Sequence, residues 1–136
     1  MSVYKHKVHY YETDKMGITH HSNYIRWMEE ARVDYLEEKE LGPDRLEAFG
    51  YASPVVSVEC HYKAATTFPE IVEISVSMVK FNGVRMSLKY EMLKADGSLA
   101  ATASSEHCFI DGKGRPVSLK KACPKMYEGL LTLLEK

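Results

Sequence analysis

Cysteine is scarce and scattered: Cys60, Cys108 and Cys123, with no CxxC pair. An odd count without close spacing excludes a disulfide framework and a zinc knuckle. Cys60 and Cys108 fall inside strand-like runs, where a buried free thiol is expected, and this points to a reducing, cytoplasmic location. Long apolar runs are also missing. None approaches the ~20 residues of a membrane-spanning helix, and the opening MSVYKHKVHYY has no apolar core of signal-peptide length. Charge of one sign is not in excess: the formal net charge is −1, which leaves no global basic field for a nucleic acid backbone. The one local exception is Lys113, Arg115, Lys120, Lys121 and Lys125, beside a single acid, Asp111. There is no GxSxG, and no cysteine sits in a loop beside a histidine, so Ser and Cys nucleophiles are poorly supported.

What is present reads as one domain over residues 1–136. Hydrophobic residues make up 45% and charged residues 27%, ordinary for a soluble globular chain, and no repeat, linker or low-complexity tract interrupts it. Val3 to Tyr11 alternates in the manner of a strand. Glu12 to Ser22, with Gly17, reads as a loop. Asn23 to Leu41 is the main helix. Tyr24, Trp27, Met28, Ala31 and Tyr35 follow one face at helical spacing, with Glu29, Glu30, Asp34, Glu37 and Glu38 opposite. Ser22 or Asn23 can cap it, and Gly42-Pro43 stops it. A short helical turn is expected at Asp44 to Phe49.

Strands follow at Pro54–Ala64, Ile71–Phe81, Val84–Ala95 and Ser98–Ile110. Their expected apolar faces are Val56, Val58, Cys60 and Tyr62; Val72, Ile74, Val76 and Met78; Val84, Met86, Leu88, Tyr90 and Met92; and Ala101, Ala103, His107 and Phe109. Asn82-Gly83 and Asp96-Gly97 are two-residue hairpin signals, since both residue types tolerate positive φ. A closing helix starts at Pro124, with Tyr127, Leu130, Leu131 and Leu134 on its apolar face. One strand, one long helix and an antiparallel meander of four strands predict an α+β protein. The economical cover for the sheet's apolar face is the long helix lying across it, the hotdog architecture.

The chemistry concentrates in Tyr11-Glu12-Thr13-Asp14-Lys15-Met16-Gly17-Ile18-Thr19-His20-His21-Ser22-Asn23-Tyr24, directly before the long helix. A helix N-terminus offers unpaired N–H groups and positive dipole character, suited to polarising a carbonyl or holding an oxyanion. A carboxylate just upstream could attack that carbonyl or deprotonate a water. Adjacent histidines point in different directions, and no HxH or HxxxH spacing joins His9, His20 or His21 to Asp14, so neither a metal nor a cofactor is expected.

This run, with Ala31-Arg32 further on, resembles the 4-hydroxybenzoyl-CoA thioesterase family, and looks closest to small bacterial acyl-CoA thioesterases associated with the Tol-Pal system and with fatty-acid metabolism. The matching positions are Tyr11, Thr13, Asp14, Gly17, His21, Asn23, Tyr24, Ala31 and Arg32. The resemblance implies hydrolysis of an acyl-CoA thioester to a free acid and CoA. Asp14 matches the carboxylate, as nucleophile or general base. The backbone N–H near His21 matches the group that polarises the carbonyl, and the His21 side chain an orienting residue. It further implies homo-oligomers, dimers or dimers of dimers, in which two sheets join and the site lies at the interface. Gly17 and Tyr24 are expected to contact substrate, and Arg115 suits the phosphates of CoA. Lys63 to Glu70 departs from the family's Pro-Ala step after the second strand, so the loop that shapes the pocket is expected to differ. Two other functions fit the same fold: a hydratase or dehydratase acting on acyl thioesters, and a non-catalytic acyl-CoA-binding protein.

Overall fold

The computed structural model describes residues 2–134. Five antiparallel strands form one sheet: β1 (Ser2–Lys7), β2 (Val55–Tyr62), β3 (Ile71–Phe81), β4 (Arg85–Leu93) and β5 (Leu99–Cys108), in the order β1-β3-β4-β5-β2. The expected four-strand meander is therefore a three-strand meander, β3 to β5. β1 is added outside β3 and β2 outside β5. The 63–70 link carries no two-residue turn signal and is long enough to cross the sheet. Three strand spacings are about 14 Å, and eight residues reach roughly 25 Å. The first strand is shorter than expected. It ends at Lys7, and Tyr10–Glu12 forms a single 3-10 turn instead.

Helix α1 (Ser22–Glu37) buries Tyr24, Trp27, Met28, Ala31, Tyr35 and Leu36, against a sheet face of Val72, Ile74, Val76, Met78, Leu88, Tyr90 and Met92, all buried. Alternation had placed these strand residues on one face. Truncating a fully buried aromatic such as Trp27 costs about 3–5 kcal/mol in such a core. The helix stops at Glu37 rather than Leu41, before Gly42-Pro43 can act. Glu40 takes φ +59; the Leu41 N–H reaches the Leu36 carbonyl at 2.9 Å, and the Glu40 N–H reaches Glu37 at 3.0 Å. This is a Schellman stop with a glutamate where glycine is usual.

Helices α2 (Pro43–Ala48), α3 (Leu119–Ala122) and α4 (Pro124–Leu131) close the far end, with Leu46, Leu119, Met126 and Leu130 buried. No helix among the described residues is long and apolar enough to cross a membrane. Both hairpin signals sit at turns, with different backbones from those expected. At the first, only Gly83 has positive φ, and the Asn82 side chain accepts the N–H groups of Val84 and Arg85. At the second, Lys94 to Ser98 make a three-residue loop with Gly97 at φ +85.

β2 is the exception to the expected apolar faces. Val55, Val56, Val58 and Tyr62 are 40–49% exposed, because β2 is an edge strand and α1 does not extend over it as it does over β1 and β3. Val84, also expected on an apolar face, is exposed at its turn.

Candidate active site

Between β1 and α1 the chain makes a small hairpin in which Thr13 bridges Thr19. The Asp14 N–H donates to Ile18 at 2.9 Å, and the Gly17 N–H donates back to Asp14 at 3.0 Å. Gly17, at φ +79, supplies the left-handed residue that this three-residue loop requires. The Asp14 carboxylate accepts the Met16 N–H at 2.8 Å, an Asx turn, and stays half-buried at the tip.

A buried carboxylate anchors this hairpin from behind. Glu12, 4% exposed, accepts from the His9 N–H at 2.8 Å and from Trp27 Nε1 at 2.7 Å, and pairs with His6 Nε2 at 2.9 Å. Burial pushes its carboxyl up, but the bonds from His6, His9 and Trp27 outweigh that and hold it below the ordinary glutamate range. The Glu12 carbonyl also takes the His20 N–H at 2.8 Å and the Asn23 amide at 2.9 Å. Strand β1, the Asp14 loop and the first turn of α1 are thus tied through one residue. Ligand atoms of His6, His9 and Glu12 lie within 4.8 Å of one another, yet both Glu12 oxygens already serve these hydrogen bonds.

The start of α1 is not capped by Ser22 or Asn23 side chains. Asn23 reaches back to the Glu12 and His20 carbonyls, and His20 Nδ1 takes the Ser22 N–H at 3.2 Å. His21 occupies the N-cap position without a side-chain cap bond. Among the described residues nothing accepts its own N–H, while its carbonyl accepts from Tyr62 Oη at 3.3 Å and the Tyr24 N–H at 3.2 Å. The His21 ring is exposed, stacked on His20 at 4.3 Å and edge-on to Tyr62 at 6.3 Å. Tyr24 is buried; its hydroxyl meets Thr66 Oγ1 at 3.0 Å, and Thr66 Oγ1 meets Thr19 Oγ1 at 2.7 Å. Burial raises the Tyr24 phenol above its ordinary value. The 63–70 link is thereby pinned against the Asp14 loop, and a hollow of about 280 Å³ opens between them, lined by Asp14, Met16, His21, Tyr24, Tyr62 and Lys63 among others.

Asp14, His21 and Tyr24 are therefore brought together, although no hydrogen bond joins Asp14 to His21. Gly17 does not line the hollow; its place is the turn. Arg115 is elsewhere: it sits on an exposed loop after β5, whose ten residues extend roughly 30 Å from the Tyr62 end of the sheet. Asp14 also borders a larger groove of about 1090 Å³ along the outer face of α1, edged by Glu29, Glu30, Asp34 and Glu37 with Arg26. Glu12, Tyr62 and Thr66 escape sequence reasoning. Glu12 stands in the Glu-Thr-Asp run and could have been noticed there. Tyr62 and Thr66 carry no local signal: Tyr62 is placed by the pairing of β2 with β5, and Thr66 by the 63–70 crossing.

The thioesterase-like superfamily model matches residues 8–130. YneP of Bacillus subtilis, assigned by name as an acyl-CoA thioesterase, is 31% identical over 119 residues, covering 87% of this chain and 86% of the relative. A protein of Aquifex aeolicus assigned by name as an esterase is 30% identical over 119 residues, covering 88% and 91%. Among solved structures, a DHNA-CoA thioesterase from Staphylococcus aureus superposes with a TM-score of 0.91 at 32% identity, over 96% of this chain and 89% of that one. The five-stranded antiparallel sheet matches these hotdog-fold thioesterases, and the chain belongs to the thioesterase-like superfamily.

Proposed function

We propose that the chain hydrolyses acyl-CoA thioesters to a free carboxylic acid and CoA, with Asp14 as its reacting carboxylate. The observation that carries this reading is that His21, whose N–H at the positive end of α1 has no acceptor among the described residues, lines the same hollow as Asp14. The N–H draws charge onto the thioester oxygen. Asp14 either takes a proton from the attacking water or itself adds to the carbonyl carbon; on both routes the tetrahedral intermediate expels CoA as thiolate, and on the second a water then hydrolyses the acyl-Asp14 anhydride, releasing the acid and restoring the carboxylate. In this reading the His21 ring and Tyr24 shape the hollow around the acyl carbonyl, and Gly17 holds Asp14 in its turn. The names of the Bacillus and Staphylococcus relatives support acyl-CoA as the substrate class. Kinship with the Tol-Pal-associated branch rests on the motif alone.

The nucleotide end of CoA would avoid the acidic groove along α1 and run toward Lys63. Arg115 can join it only from a second copy. β2 is an edge strand paired on one side only, with β5, and its valines are exposed; pairing its free edge antiparallel with another β2 about a two-fold axis sets the Val55 end of one chain, with its Arg115 loop, beside the Tyr62 end of the other. The proposed assembly is therefore a homodimer through β2, or a dimer of such dimers.

The test is thiol release from a panel of aromatic, short and long acyl-CoAs, wild type beside Asp14→Asn. The reading expects hydrolysis of some member and a loss of at least ~100-fold in the variant, the scale of an acid–base group. Equal activity in the variant, or no thiol release by wild type, overturns it. Hydration of an enoyl-CoA without thiol release would establish the hydratase alternative instead.

A further inference from the structure

Ten residues beyond the start of α1, roughly 15 Å along it, Arg32 borders a second cavity that shares no lining residue with the Asp14 hollow. Its volume is about 240 Å³, and its walls are mainly apolar, with Leu36, Leu46, Met86, Phe109, Met126 and Leu130. An apolar protein cavity of ~150 Å³ accepts benzene, so this one has room for a body of one or two rings.

Its polar groups are few and unevenly satisfied. His107 is fully committed: Nε2 meets Ser105 Oγ at 2.8 Å, and the ring makes a backbone hydrogen bond to Ser53. The Ser53 hydroxyl, by contrast, is buried with no partner among the described residues. Arg32 makes one hydrogen bond, to Tyr90 Oη at 3.1 Å, and among the described residues no carboxylate lies within ion-pairing distance of it. A guanidinium has five donors, so most of its fork is unused. Glu47 is also at the cavity, on its exposed side. An unneutralised half-buried cation and an orphan hydroxyl on an apolar cavity are complementary to one ligand chemistry, an anionic oxygen pair on an apolar body.

We propose that this cavity is a binding site for a small apolar carboxylate, with the carboxylate on the Arg32 guanidinium and the Ser53 hydroxyl and the body among the methionines and leucines. The class includes acids that thioester hydrolysis releases, but the site stands whether or not Asp14 does thioester chemistry.

Methionine methyls provide the readout, because Met86 and Met126 line this cavity and Met16 lines the Asp14 hollow. Protein carrying 13C-methyl methionine is titrated with benzoate and 2-naphthoate, with benzyl alcohol as the neutral counterpart. The expected result is saturable shifts at Met86 and Met126 without shifts at Met16, and benzyl alcohol at least ~10-fold weaker. Asp14→Asn keeps this affinity; Arg32→Gln weakens it by ~10-fold or more. Ser53→Ala weakens it by ~3–10-fold without lowering the melting temperature, since it removes an unsatisfied group; it serves even if Arg32→Gln does not fold. Absence of saturable shifts with either acid, shifts at Met16 alone, equal binding of benzyl alcohol, or unchanged affinity in both Arg32→Gln and Ser53→Ala overturns the proposal.

Discussion

Asp14 and Asp111 occupy the same position of the same turn. Each carboxylate accepts the N–H two residues on at 2.8 Å, and each backbone carbonyl accepts the N–H of a glycine three residues on at 3.0 Å, Gly17 at φ +79 and Gly114 at φ +77. The turns differ in one bond, since the Asp111 carboxylate also accepts the Arg115 N–H at 3.0 Å; in place they differ more, as only Asp14 lies against the start of α1. Asp111→Asn is therefore the control for Asp14→Asn, because asparagine keeps the turn acceptor in both. Thiol-release assays on both variants should show the loss at position 14 alone, with activity within about 2-fold of wild type at position 111. A comparable loss in both would mean that the turns, not the carboxylate, matter.

Glu12→Gln should cost at least ~2 kcal/mol in urea unfolding, because it leaves donors from His6, His9 and Trp27 facing a poorer acceptor. A glutamate held below its ordinary value stabilises the fold above about pH 4.5, and this contribution disappears as pH falls through the lowered native value. The variant should lack that acid limb. Activity should also fall, since the Asp14 hairpin loses its anchor.

His107, 1% exposed, gives a second pH signature at milder acidity. Burial, with the Arg32 charge nearby, lowers its pKa from 6.5 to about 4. Between these values the unfolded chain binds a proton that the native protein does not, so stability declines as pH drops from 6.5 to about 4 and this contribution is constant outside that window. The span corresponds to about 3 kcal/mol. Unfolding free energies measured from pH 4.5 to 7.5 should show the slope, and His107→Gln should flatten it.

Glu40→Gly should stabilise the protein. A non-glycine residue in the left-handed region costs about 1 kcal/mol, and the ion pair lost to Arg45, at 3.4 Å and exposed, contributes little. Thermal melts should rise by a few degrees. A fall would show that the Glu40 side chain does more than its one visible contact.

Val58→Asp tests the β2 edge. An exposed apolar strand with unpaired backbone groups is a template for pairing, and a charge at 40% exposed Val58 should turn the proposed dimer into a monomer in sedimentation velocity. A wild type already monomeric at assay concentrations would place Arg115 outside the site.

Local periodicity suffices for α1 and for the buried faces of β3, β4 and β5, because alternation and helical spacing report directly which side chains share a face. The motif around Asp14 points to the proposed site for a similar reason: Asp14, Gly17 and His21 are close in sequence, and a turn followed by a helix start keeps them close in space. The separation of β2 from β3 and the exposure of Val56 and Val58 depend on which strands pair, and periodicity carries no information about partners. The same holds for Glu12 under Trp27, for Thr66 beside Tyr24, and for Arg32 at one cavity with Ser53 and His107. These contacts join segments far apart in the chain, and they exist only once the sheet has ordered its strands and α1 has settled on one face of it.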